Sequence, residues 1–126
     1  MVRGNRGWGP GRGHGWRERH SPVMGGLLMP ALLFMLSKKS SHGYDLVESR
    51  EQFRLNTVHP SMVYRILREM EEFGWVASQW DTHQTQGPAR RVYEITDLGK
   101  EAVKTWANEL KQVSKSLDDL LNSIED

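Results

Sequence analysis

The chain has 126 residues, enough for one domain with a modest core and too few for two ordinary ones. Its formal net charge of +1 by itself argues against a histone-like or polybasic protein. Cysteine is absent, which excludes a disulfide scaffold, a thiolate metal site and cysteine catalysis, and fits a reducing, cytoplasmic setting.

The average charge conceals three unlike regions. Residues 1–20 carry net +4, residues 21–96 net 0 and residues 97–126 net −3. In the first, Gly4, Gly7, Gly9, Gly11, Gly13 and Gly15 alternate with Arg, Trp, His and Pro. Glycine at that density does not hold a helix, and no apolar period exists to build a strand. Residues 1–22 therefore read as a disordered basic Gly/Arg-rich tail that is either solubilising or adds nonspecific nucleic-acid affinity. Residues 1–36 do not read as a signal peptide or anchor. The tail stays charged to Arg19, and the apolar run Leu27–Leu36 is broken by Pro30 and falls short of the roughly 20 residues of a membrane span. His14 and His20 have no neighbours that would fix tetrahedral geometry, so no metal is expected.

The run Leu27–Leu36 is apolar on every side, as a helix in the middle of a small domain would be, with Pro30 tolerated in its first turn. A second helix is expected over roughly His42–Phe53, capped by Ser40 or Ser41 and buried through Tyr44, Leu46, Val47 and Phe53. Arg54 to Val58 reads as a link. A third helix starts with Pro60 in its first turn and ends at Gly74. Val63, Ile66, Leu67, Met70 and Phe73 recur on one face of it, while Ser61, Tyr64, Arg65 and Arg68 form the opposite one. Arg68 has Glu72 one turn on as a candidate partner.

Two short strands, Trp75–Trp80 and Arg91–Thr96, flank a long loop that ends in Gly87-Pro88-Ala89 and leads into Arg90 and Arg91. The last helix begins at Asp97 with Thr96 as cap. Its residues Val103, Trp106, Leu110, Val113, Leu117, Leu120 and Ile124 are spaced alternately three and four apart, an unbroken heptad seam. Such a helix overhangs a body of this size, so its far end needs a partner, and a second copy of the chain is the simplest one.

This order of elements predicts a mainly α fold with a small β-hairpin: a winged helix-turn-helix over residues 23–96 and a C-terminal dimerisation helix over residues 97–126. In such folds the third helix enters the DNA major groove by its N-terminal half. Ser61 and Tyr64 then suit phosphate oxygens, and Arg65 suits a guanine edge or a phosphate. Arg68, Arg90 and Arg91 complete the basic face.

Three segments carry a family resemblance: His42-Gly43-Tyr44, His59-Pro60-Ser61-Met62-Val63-Tyr64-Arg65-Ile66-Leu67, and Gly87 through Gly99 with its Val92-Tyr93-Glu94-Ile95-Thr96-Asp97-Leu98-Gly99 exit. Together they resemble the PadR family of bacterial transcriptional regulators, over about residues 27–110. The resemblance implies a winged-helix dimer, usually a repressor, of the subgroup with a short C-terminal helix. It carries over Tyr44, Ser61, Tyr64, Arg65 and the wing from Gly87 to Arg90 as DNA contacts. It also implies a pocket between protomers for planar aromatic or drug-like ligands. The sequence departs from the family at His59, where a serine cap is usual, at Met62-Val63, and in the residue order of the wing.

Tyr44 reads equally as a core residue. Trp106 reads first as a core aromatic of the dimer seam and second as a stacking surface for a ligand, with Phe34 and Met35 able to line the same space. An alternative reading of the whole is a winged-helix protein-interaction module that binds no DNA, favoured by the neutral middle region. An enzyme is not expected. There is no Gly-rich phosphate loop, and the five histidines have no acid–base partner at a recognisable spacing, so no catalytic residue and no cofactor is assigned.

Overall fold

The computed structural model describes residues 22–81 and 90–126. Residues 1–21, which make up nearly all of the expected tail, and residues 82–89, which include Gly87 and the tip of the expected wing, lie outside the described residues.

Helix α1 (Pro22–Gly26) leads through Leu27 into α2 (Leu28–Lys38). Leu28, Leu32, Leu33 and Leu36 are at most 2% exposed, and each contributes about 1.5–3 kcal/mol by leaving water. Pro30 sits in the first turn of α2, where no i−4 carbonyl is waiting for its missing N–H.

The next element differs from the sequence reading of one helix over His42–Phe53. Ser41 and His42 form a strand, β1, and helix α3 spans only Gly43–Ser49 before a 3-10 turn at Arg50–Phe53. The cap position belongs to His42, not to Ser40 or Ser41. The reason is nonlocal: Ser41 and His42 pair with residues 50 positions or more along the chain, a ladder that no local period announces. Leu46 and Val47 are buried as expected, but Tyr44 (56% exposed) and Phe53 (40%) are not. Conversely Leu55 and Val58, in the segment that reads as a link, are fully buried. Arg50 makes this turn possible. Its guanidinium donates to the carbonyls of Asn56 and Val58 beneath the turn, and to that of Val47, which also accepts from the Arg50 backbone N–H.

Helix α4 (Pro60–Glu72) buries Val63, Ile66, Leu67 and Met70, as its period predicts. It ends on Gly74, whose φ of +81° is left-handed. The Trp75 N–H reaches the Met70 carbonyl at 2.9 Å and the Gly74 N–H reaches that of Glu71 at 3.0 Å, a double closure that satisfies the last turn. Phe73 is therefore the terminal cap rather than a core residue. It is 51% exposed and packs on Trp75 with ring centroids 4.8 Å apart.

Strands β2 (Val76–Trp80) and β3 (Arg91–Ile95) form the expected hairpin, but β1 adds a third strand, in the antiparallel order β1-β3-β2. Helix α5 (Asp97–Glu125) follows directly. Thr96 Oγ1 accepts from the Gly99 N–H at 3.0 Å and donates to the Gly74 carbonyl at 2.6 Å, tying the start of α5 to the end of α4. Beyond Leu110 every residue of α5 is exposed. No helix among the described residues is long and apolar enough to cross a membrane.

The junction of α5 with the sheet sets a sharp steric condition. A Cβ at Gly99 would overlap the Trp75 carbonyl oxygen and stand 2.6 Å from Ile95 Cγ1. Backbone cannot yield there as a flexible side chain would. Gly99→Ala is therefore expected to cost roughly 3 kcal/mol or more, at the upper end of overpacking effects. Thermal unfolding followed by circular dichroism should show a midpoint lowered by about 10 °C or more, and an unchanged midpoint would mean that the contact is looser than described.

Candidate nucleic-acid interface

The apolar half of α4 faces the core, which leaves Ser61, Tyr64, Arg65 and Arg68 exposed along its other side. His59 caps the helix with its ring: Nδ1 accepts from the Ser61 N–H at 3.1 Å. The same nitrogen lies 2.9 Å from Ser61 Oγ. Because the backbone N–H can only donate, Nδ1 is the acceptor, and the Ser61 hydroxyl donates to it as well. Ser61 thus turns its lone pairs, not its proton, to the outside. Its expected role as a phosphate donor requires breaking this contact.

Tyr64 packs over the start of α3. A Cβ on Gly43 would lie 2.7 Å from Tyr64 Cε1, so the absence of a side chain at position 43 lets the ring settle against the backbone. Around this contact an open cleft of about 370 Å³ is lined by His42, Gly43, Tyr44, Tyr64, Arg90, Arg91 and Tyr93. Three distant parts of the sequence meet here: the His-Gly-Tyr run, the exposed face of α4 and the base of the hairpin. Of the residues singled out from sequence, Tyr44, Tyr64, Arg90 and Arg91 come together in the cleft, and Ser61, Arg65 and Arg68 lie along α4. Gly87 lies outside the described residues.

The basic groups are differently engaged. Arg65 Nε lies 3.5 Å from Glu69 Oε2, so the i,i+4 pair on α4 is Arg65–Glu69 and not Arg68–Glu72. Both partners are exposed, and such a pair contributes about 0.2–1 kcal/mol, little enough for Arg65 to exchange it for another anion. Arg91 lies with its guanidinium 4.7 Å from the Trp80 ring centroid and donates to Ser78 Oγ at 2.8 Å. Ser78 in turn donates to Glu71 Oε2 at 2.8 Å, which links the hairpin to α4. Burial pushes the Tyr93 phenol above its ordinary value, with Arg91 opposing and Glu71 reinforcing the shift, so Tyr93 stays a neutral hydroxyl beside the arginines.

Sequence reasoning assigned no role to His42 or Tyr93, which stand only inside the two motifs; β1 pairs with β3 and so brings both to the cleft.

A second region lies on the other side of the core. Val103, Trp106 and Leu110 are half-buried, whereas Val113, Leu117, Leu120 and Ile124 are exposed. Trp106 borders two hollows. One, of about 520 Å³, lies between α2 and α5 and is lined by Pro30, Ala31, Phe34, Phe53, Val103 and Leu110 among others. The other, of about 560 Å³, runs along α5 from Trp75 and Leu98 to Val113. Phe34 lines the first hollow as expected, and Met35 turns into the core.

Residues 32–105 match the transcriptional regulator PadR-like family. No curated protein matches the chain. Among solved structures, a Thermoplasma acidophilum protein assigned as a transcriptional regulator is 31% identical with a TM-score of 0.71, over 81% of this chain and 97% of that one. A PadR-like transcriptional regulator from Bacillus cereus is 25% identical with a TM-score of 0.67, over 80% and 97%. A PadR family transcription regulator from Clostridium difficile, at 22% identity and a TM-score of 0.64 over 75% and 98%, shares the fold. With the family match spanning more than half of its length and a winged helix-turn-helix as its body, the chain belongs to the PadR-like family of DNA-binding transcriptional regulators.

Proposed function

We propose that this chain is a dimeric, sequence-specific repressor acting in the cytoplasm, whose operator affinity is set by a small aromatic or drug-like effector. The observation that carries the reading is the convergence of the α4 face with Arg90 and Arg91 around one open cleft. In this reading α4 enters the major groove, with Arg65 on a base edge and Arg68 beside it. Tyr44, Tyr64, Arg90 and Arg91 hold one backbone phosphate in the cleft, and Gly87 is kept as a DNA contact on the family resemblance alone. Phosphate contacts of this kind position the protein, while α4 supplies the sequence preference.

The exposed far half of α5 supports dimerisation. Val113, Leu117, Leu120 and Ile124 continue the seam of Val103, Trp106 and Leu110 and are exposed among the described residues, and a two-fold related copy would cover them isologously. The hollows beside Trp106 have the size and apolar lining of small-molecule sites, and an aromatic effector would stack on the indole. Such a ligand alters DNA binding only through unequal affinity for the two dimer arrangements.

The rival reading, a winged helix that recognises a protein, draws on the neutral charge of residues 21–96. Salt separates the two, because each neutralised phosphate steepens the fall of log affinity with log salt by nearly one unit. For a labelled duplex selected from a randomised pool by the parent protein, Arg65→Ala and Tyr64→Ala should each weaken binding about tenfold, and Arg90→Ala should reduce the salt slope by about one. Parent-like binding by both α4 variants would remove α4 as the reader, and a flat salt dependence would favour the protein-interaction module. Truncation after Asn108 removes no buried residue, and only Leu110 of those removed is half-buried, so the body should stay folded. Light scattering should then report a monomer where the full chain is a dimer. A dimer that survives the cut would place the interface elsewhere.

A further inference from the structure

At His59 the chain departs from the family, where a serine cap is usual, and an imidazole stands at the head of α4 instead. Pro60, the first residue of the helix, has no N–H, so the first backbone donor that needs a partner is that of Ser61. His59 Nδ1 accepts this N–H at 3.1 Å and lies 2.9 Å from Ser61 Oγ. The Met62 N–H donates to the His59 carbonyl at 2.9 Å. The first turn is thus served without the other ring nitrogen.

The cap also fixes the tautomer. A ring nitrogen that accepts carries no proton, so the proton of the neutral imidazole is on Nε2, a donor. His59 is exposed, and among the described residues Nε2 makes no hydrogen bond or ion pair. The contact with Ser61 Oγ places the ring on the polar face of α4, ahead of Tyr64 and Arg65. Ser61 donates its hydroxyl proton to Nδ1, which leaves the outward donor at this end of the helix to the ring. Hydrogen bonds accepted at Nδ1 polarise the imidazole and strengthen Nε2–H as a donor.

We propose that His59 is a specificity-determining residue whose Nε2–H donates to a purine N7 in the major groove, next to the base met by Arg65. This rests on the reading that α4 is the helix in the groove. An uncharged donor suits a base edge better than a phosphate: phosphates draw cations, which the arginines around the cleft supply, whereas a neutral hydrogen bond gains by direction. A single donor matches the one acceptor that both purines share, N7. On the same edge cytosine presents an amino donor, and thymine carries its C5-methyl group beside O4. The contact therefore selects purine over pyrimidine at one position of each half-site.

The test compares the full-length parent with His59→Ser, which caps but has no donor beyond the cap, and His59→Ala, which does neither. His59→Ala should lower the thermal unfolding midpoint by about 3–8 °C, and His59→Ser should stay within roughly 2 °C of the parent. On the duplex selected by the parent from a randomised pool, both variants should bind about three- to tenfold more weakly, the span of one neutral hydrogen bond. Selection repeated with His59→Ser should admit pyrimidines at one position where the parent takes purines, with the other positions unchanged. Its slope of log affinity against log salt should match the parent's, because an uncharged donor displaces no counterion. For the parent itself, a 7-deazapurine at that position, which lacks the N7 acceptor, should cost the same factor, and this measurement decides if His59→Ser does not fold. A residue that only caps is rescued by serine in binding as in stability, so parent-like affinity and base preference in His59→Ser overturn the proposal. So does an equal weakening on every sequence, a reduced salt slope, or a parent indifferent to the 7-deazapurine. If the parent selects no duplex, the reading of α4 fails and this inference with it. If selection by the parent depends on Arg65 but not on His59, this inference fails alone.

Discussion

Helix α2 is the constraint on which the rest of the molecule is built. It is apolar on nearly every side, and α4, α5, β3 and the 3-10 turn all pack on it. The face that carries Tyr64, Arg65, Arg90 and Arg91 and the hollow beside Trp106 are therefore separated by a single close-packed layer. Protein interiors at crystal-like density do not absorb displacement by compressing. Leu32, Leu33 and Leu36 share one buried cluster with Val63, Ile66 and Leu67 of α4, so a shift of α5 against Pro30, Ala31 and Phe34 would be felt at α4. The proposed traffic between effector and operator needs no separate relay, only two packings of α5 on α2.

Where elements join, a few polar side chains do what apolar packing cannot. Arg50 donates to three carbonyls around the turn between α3 and α4, so Leu55 and Val58 can be buried there with their backbone. Thr96 bonds at once to the end of α4 and the start of α5. Beside it Gly99 brings the new helix against the Trp75 carbonyl. His42 joins the remaining corner, with Nε2 2.9 Å from Asp81 Oδ2 at the end of β2. Each clamp spans a junction between elements, which is why the α4 face keeps its angle to the hairpin although the sheet has only short strands.

The electrostatics reconcile a near-neutral body with an anionic ligand. The arginines of the candidate face have local partners: Glu69 for Arg65, and Ser78 and the Trp80 ring for Arg91. These contacts are exposed and individually weak, so they order the side chains without binding them too firmly to exchange. The acids of α4 gather toward its C-terminal half and those of α5 lie away from the cleft, which confines positive potential to a small patch. A small patch makes few phosphate contacts, and the affinity it confers without sequence is modest.

Much of this was legible in the amino-acid order. The period of Val63, Ile66, Leu67 and Met70, the stop at Gly74, the cap at Thr96 and the seam from Val103 to Ile124 are local signals, each set by residues within a turn or two of one another. The polar face of α4 followed from the same period, as its complement. What escaped the sequence was what depends on distant partners. Ser41 and His42 read as a helix start because their ladder partner is β3; Leu55 and Val58 read as a link because the core beneath them comes from other helices; Phe73 fits the apolar period but lies where the chain leaves it. The cleft itself, the ring of Tyr64 on Gly43 and the bridge from His42 to Asp81 join segments tens of residues apart. By itself the sequence determined which elements form and which face of each is apolar, because helical and strand periods are local properties. Only the tertiary structure decided which polar groups meet, because their partners are brought to them by the packing of those faces and by nothing in their own neighbourhood.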